Sequence, residues 1–173
     1  MGGLSHSRGR AAFTLLELLI VLVVLALVSS LAVPAWFERS EVTLDNACRL
    51  LARDLREAQN RAAWRGQPLQ VVFDGDGDGY EVLDRDGRPV PAPVGGDDFT
   101  RRYSRDAIFR GVAIARLELE SGSALEFDAH GFAAQGAEIV VTFQGEARVV
   151  RVERGSGQVR IQGMATSFVD LGD

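Results

Sequence analysis

Lysine is missing from this chain altogether, and cysteine and histidine are scarce: all 19 basic side chains are arginine, beside one cysteine and two histidines. The single cysteine, Cys48, cannot close an intrachain disulfide, so no covalent staple holds the fold even in an oxidising compartment. Cys48 lies among apolar residues at helical spacing and reads as a small apolar side chain rather than a reactive thiol. His6 and His130 are far apart, with no thiol near either in sequence, which argues against a metal site or a nucleophilic triad. No glycine-rich phosphate loop follows a strand pattern and opens a helix. The expectation is a protein that is not an enzyme and carries no cofactor. A net charge of -5 provides no electrostatic footprint for nucleic acid. The replacement of every lysine by arginine translates into no function.

What the chain does have is one long apolar run. From Phe13 to Val33 it is interrupted only by Thr14, Glu17, Ser29 and Ser30, and Pro34 then breaks it. At 1.5 Å per helical residue this run spans roughly 30 Å, the thickness of a hydrocarbon core. Glu17 lies inside it, where a charge costs about 2.5 to 3.5 kcal/mol and calls for an opposite charge nearby. Arg8 and Arg10, with no acidic residue before Phe13, hold the leader on the cytoplasmic side. An ordinary secretory signal would offer Ser30-Leu31-Ala32 for cleavage and Leu18 to Val28 as its apolar core, and a plain single-span anchor is a further alternative. Neither accounts for a carboxylate so near the start of the run, nor for Phe-Thr-Leu directly after a small residue.

The stretch Ala12-Phe13-Thr14-Leu15-Leu16-Glu17-Leu18-Leu19 resembles the class III signal of type IV pilins and type II secretion pseudopilins. That signal is a short basic leader, a small residue, then Phe-Thr-Leu-x-Glu and a long apolar helix; Ala12 stands where glycine is usual. The resemblance implies cleavage between Ala12 and Phe13 by a prepilin peptidase, followed by N-methylation of Phe13. It also implies an assembly ion pair between Glu17 and the N-terminal ammonium of a neighbouring subunit, which would set the register between subunits. Since many major type IV pilins close a C-terminal loop with a disulfide, the lone Cys48 favours a pseudopilin or a minor pilin.

Four segments are expected: a cleaved leader over 1–12, a transmembrane helix over 13–35, an amphipathic helix over 36–66 and a periplasmic β-rich domain over 67–173. In the amphipathic segment Leu44, Cys48, Leu51, Leu55, Ala58 and Ala62 recur at spacings of 4, 3, 4, 3 and 4, one face of a helix. Arg49, Arg53, Asp54, Arg56 and Glu57 fall largely off that face, and Gly66 with Pro68 stops the helix. Strand patterns follow at 69–73, 80–83, 112–119, 124–127, 138–143, 147–153 and 158–161, separated by glycine-rich turns; the first of them suggest a β-meander. The fold class is α+β, a long N-terminal helix packed on antiparallel β-sheets in a pilin-like way. Asp74, Asp76, Asp78 and Gly79 match the opening of an EF-hand loop, but Arg85 stands where its closing glutamate belongs. A solvated hairpin turn and a weak cation site, with Glu81 or Asp86 as extra ligands, are both open.

Phe127-Asp128-Ala129-His130-Gly131-Phe132, with the strands after it and Gly157-Gln158-Val159-Arg160, is similar to the C-terminal pattern of GspH-type minor pseudopilins and the related FimT/FimU minor pilins. The implied function is a minor pseudopilin subunit of a type II secretion pseudopilus, taking part in protein export across the outer membrane. The alternative is a minor pilin of a type IV pilus or DNA-uptake apparatus. The implied partners are a prepilin peptidase, other pseudopilins in a filament or tip complex, and the inner membrane, with no nucleic acid. The C-terminal domain would be periplasmic and the N-terminus cytoplasmic. Mass spectrometry of the mature protein should find Phe13 N-methylated at its start; a start near Val33 would mark an ordinary secretory signal instead.

Overall fold

The structure, a computed structural model, describes residues 15–95 and 97–163, without the side chains of residues 30–40. The Ala12–Phe13 junction and the tail over 168–173 lie outside the described residues. One helix, α1 (Leu15–Arg65), runs through Pro34 without ending. The chain divides within it into two compact units, residues 1–38 and 39–173.

From Leu15 to Val28 α1 is apolar on every side except at Glu17. Leu15, Leu18, Ile20, Val24 and Leu27 are all more than half exposed, the pattern of a helix whose surroundings must be as apolar as itself. Among the described residues no helix is long and apolar enough to cross a membrane. The span expected over 13–35 extends beyond the side chains described, which end at Ser29.

In the second unit the same helix changes character. Leu44, Cys48, Leu51, Leu55, Ala58 and Ala62 are buried, joined by Ala47 and Ala52. Most of this face is small, so the bulk of the core comes from the strands, through Leu69, Tyr80, Leu125, Phe127 and Ile139, and from Phe99 just before the strand that begins at Thr100. The helix ends at Arg65 because Gly66, at φ 63°, turns into the left-handed region. There its N–H reaches the Ala63 carbonyl and that of Gln67 the Ala62 carbonyl, which satisfies two of the last helical acceptors.

Among the described residues eight strands form two antiparallel sheets. The first contains β1 (Leu69–Phe73), β2 (Gly79–Leu83), β3 (Thr100–Arg102) and β5 (Ala124–Phe127) in the order β3-β2-β1-β5. The second contains β4 (Ala113–Leu119), β6 (Ala137–Phe143), β7 (Glu146–Val152) and β8 (Val159–Gln162) in the order β4-β6-β7-β8. The expected meander exists as β1-β2-β3. Beyond it the chain alternates between sheets: β4 joins the second and β5 returns to pair with β1, Val71 opposite Leu125. The short strand β3 shows no hydrophobic alternation and escaped the sequence pattern. It forms because Gly79, without a side chain, lets the Arg101 carbonyl come against its Cα.

A fragment beginning at Ser40 should therefore fold as a soluble monomer with one cooperative melt, since helix face and strands close one core. Circular dichroism and sedimentation check this; aggregation with strand signal but no cooperative transition would refute the packing described.

Candidate functional site

Glu17 lies exposed in the first turn of α1, where the aligned amides favour negative charge. The Ala12–Phe13 cleavage junction, and with it Phe13, whose amine on a neighbouring subunit is the partner expected for Glu17, lies outside the described residues.

The acidic turn between β1 and β2 spends its carboxylates internally. Asp74 forms an ion pair with Arg102. Asp78 accepts from the Ser104 amide at 2.7 Å and from its hydroxyl at 2.5 Å, and Asp76 accepts from the Asp78 amide at 3.0 Å. The Gly77 carbonyl accepts from the Ile114 amide at 2.9 Å. The turn thus clamps the η1 turn (Tyr103–Arg105) and the start of β4. Among the described residues no group of three or more histidine, cysteine, aspartate or glutamate side chains is gathered to hold a metal ion. Asp74 and Asp78 face an arginine and a serine rather than each other.

The residue that sequence periodicity misplaced is Asp54. Expected largely off the buried face, it is 3% exposed, and its Oδ2 accepts from the Tyr80 hydroxyl at 2.9 Å and from Arg101 Nε at 2.7 Å. A carboxylate removed from water is tolerated only when such partners replace its hydration. Burial first, and then the Asp54 charge, push the Tyr80 hydroxyl well above its ordinary range. The hydrogen bond to Asp54 raises Arg101 in turn, against its own desolvation. This cluster ties the C-terminal part of α1 to β2 and β3. A signal for it was present: Ala47, Leu51, Asp54 and Ala58 are spaced 4, 3 and 4 along the flank of the stripe.

One turn further along, α1 grips the second sheet and its turns. Arg56 donates to the Val159 carbonyl at 2.8 Å, and Gln59 Nε2 lies 2.8 Å from the carbonyls of both Gly131 and Ser156. Gly131 and Gly157 are required here, because each has positive φ and a side-chain carbon on either would press into α1, against Ala63 or the Gln59 amide. Asp128 shapes the first of these turns by accepting from the amides of His130 and Phe132 at 2.8 and 2.9 Å. Those bonds, the Phe132 one foremost, lower its carboxyl below its ordinary value. His130 is exposed, its ring 6.5 Å from that of Phe132. Cys48 is fully buried, and burial raises its thiol to about 11 in spite of Arg148. It is a packing residue, since the thiolate is the nucleophile.

A family model described as Type II transport protein GspH matches residues 47–157, and one for the prokaryotic N-terminal methylation motif matches residues 7–33. Among solved structures, the type IV minor pilin FimU of Pseudomonas aeruginosa is 20% identical, covers 73% of this chain and 92% of its own, and superposes with a TM-score of 0.49. The minor pseudopilin EpsH from the type 2 secretion system of Vibrio cholerae is 15% identical, with coverages of 72% and 99% and a TM-score of 0.49. No curated protein sequence matches the chain significantly.

Replacing Asp54 by alanine strands the Tyr80 hydroxyl and Arg101 together, so Asp54→Ala should cost about 3 kcal/mol in a denaturant titration. Tyr80→Phe leaves the carboxylate its arginine and should cost only about 1 kcal/mol. Equal losses would mean that the cluster is incidental to the fold.

Proposed function

The chain belongs to the GspH family of type II transport proteins, and from that premise we propose that it works as a minor pseudopilin, an assembling subunit of a type II secretion machine rather than a catalyst. The observation that carries this reading is the change of character along α1: exposed apolar side chains from Leu15 to Val28, then a buried stripe from Leu44 to Ala62. A helix of that kind anchors at one end and carries a folded unit at the other. The family suggests the inner membrane for the anchor and the periplasm for residues 39–173. The methylation motif over 7–33 supports processing by a prepilin peptidase, with the cut between Ala12 and Phe13 and the methyl group on the new Phe13 amine. Loss of Arg8 and Arg10 would leave 17 basic side chains against 24 acidic ones, a balance of −7 that opposes direct contact with nucleic acid.

Within this reading Glu17 serves assembly. A carboxylate in an apolar surround is stabilised by an opposite charge within a few ångströms, and the Phe13 ammonium of a neighbouring subunit is such a charge. The pair forms only at one axial offset, so it selects the register in which subunits add. Other pseudopilins are accordingly the partners.

Glu17→Ala should insert in the membrane at least as readily as the native chain, because it removes a cost of about 2.5 to 3.5 kcal/mol, yet fail to join the filament. Glu17→Gln keeps shape and polarity without charge and should fail nearly as badly. Cross-linking into the pseudopilus and export of a secreted protein report the two effects separately. Normal secretion by either variant would remove the pairing role.

A further inference from the structure

We propose that the exposed edge of β4 is a docking site for an extended, basic segment of another subunit, which would add to the second sheet as a fifth strand. β4 is the outermost strand of that sheet. Its first half is closed: Ile114 donates outward to the Gly77 carbonyl, and the register slips between Ile114 and Arg116. The second half is open. Glu120 donates to the Gly136 carbonyl at 3.4 Å, so alternate residues Glu118 and Arg116 turn their backbone groups toward β6, while Leu117 and Leu119 turn theirs away from the sheet. Among the described residues no backbone group meets Leu117 or Leu119 on that side. A row of unpaired N–H and C=O groups is a template for strand addition unless it is blocked, and no proline interrupts this one.

The surface beside the edge has the shape and charge for such a guest. Leu117 and Leu119 are half-buried and border an open groove of about 570 Å³, completed by Gly122 and Ser123. A second cleft of about 480 Å³ adjoins it at Glu118 and Leu119. Across the outer face the strands align Arg160, Arg151, Glu138 and Glu118 in one row. Glu118 and Glu138 are thus like charges directly opposite each other, an unfavourable pairing that Arg116 relieves at 3.3 and 3.9 Å and Arg151 at 2.5 Å. On its other side Glu118 faces the open edge. A guest strand would place one outward residue beside Glu118, where a basic side chain continues the row favourably, and its two neighbours would point inward beside Leu117 and Leu119, where apolar side chains fit. The C-terminal stretch 164–173 of this chain has two aspartates and no basic residue, so charge directs the assignment to another chain. That the guest belongs to a fellow filament subunit rests on the assembly reading above; the edge geometry stands without it.

The test uses the full-length protein in detergent micelles and two capped peptides, Ser-Thr-Val-Arg-Val-Thr-Ser and its twin with glutamate in place of arginine. Amide exchange followed by NMR should show the arginine peptide slowing Leu117 and Leu119 saturably, with an affinity at least about fivefold above that of the glutamate twin. Glu118→Arg, a change at an exposed position, should invert that preference. Protection elsewhere, no saturable protection, or a preference indifferent to Glu118→Arg would overturn the proposal. Filament incorporation of the native protein, measured beside these, separates the two readings: normal incorporation with no peptide protection rejects the docking edge and leaves the pseudopilin function standing.

Discussion

A negative charge inside the core is the constraint around which the unit over residues 39–173 is arranged. Asp54 has exchanged water for the Tyr80 hydroxyl and the Arg101 guanidinium, and both must arrive from strands far away in sequence. Arg101 is carried by β3, whose position depends on the bare backbone of Gly79. A short, irregular strand is thereby held where hydrophobic patterning alone would not put it. The ring of Tyr80 packs 6.4 Å from that of Tyr103, whose own hydroxyl burial likewise pushes upward, so the polar cluster is roofed by aromatic surface.

The helix also divides its contacts between the sheets. Asp54 serves the first, Arg56 reaches β8 of the second, and Gln59 spans two turns that bring β5 and β8 together. Between these polar contacts the buried stripe is rich in alanine, which brings the sheet backbones close to the helix axis. The glycines at 131 and 157 answer the same requirement from the other side.

Much of this was legible in the sequence. The 4-3-4-3-4 spacing from Leu44 to Ala62 named buried positions correctly, because a helix face is a local property of the chain. Strands β1 and β5 were bounded to the residue by their apolar runs and glycine turns. Asp54 was not legible as a buried residue despite its 4-3-4 spacing with Ala47, Leu51 and Ala58, because charge usually marks a solvated face and only long-range partners reverse that rule. Nor was the return of β5 to the first sheet, since hairpin logic pairs each strand with its sequence neighbour and says nothing about a chain that changes layers. The aspartates at 74, 76 and 78 matched the opening of a cation loop by composition. Whether a carboxylate faces a metal or an arginine depends on what the fold brings opposite, here Arg102 and Ser104.

The grip on α1 has a mechanical meaning for any load directed along the helix axis. Asp54, Arg56 and Gln59 occupy less than two turns, and each bond runs sideways from the helix to a different strand or turn. A thrust directed along the axis therefore loads all three in shear and at the same time, together with the interlocked stripe beneath them. Bonds sharing a load in parallel yield together or not at all, whereas bonds pulled one after another unzip at low force. The folded unit over residues 39–173 is thus fixed to its own stretch of α1 at several points within two turns, just short of the Gly66 stop.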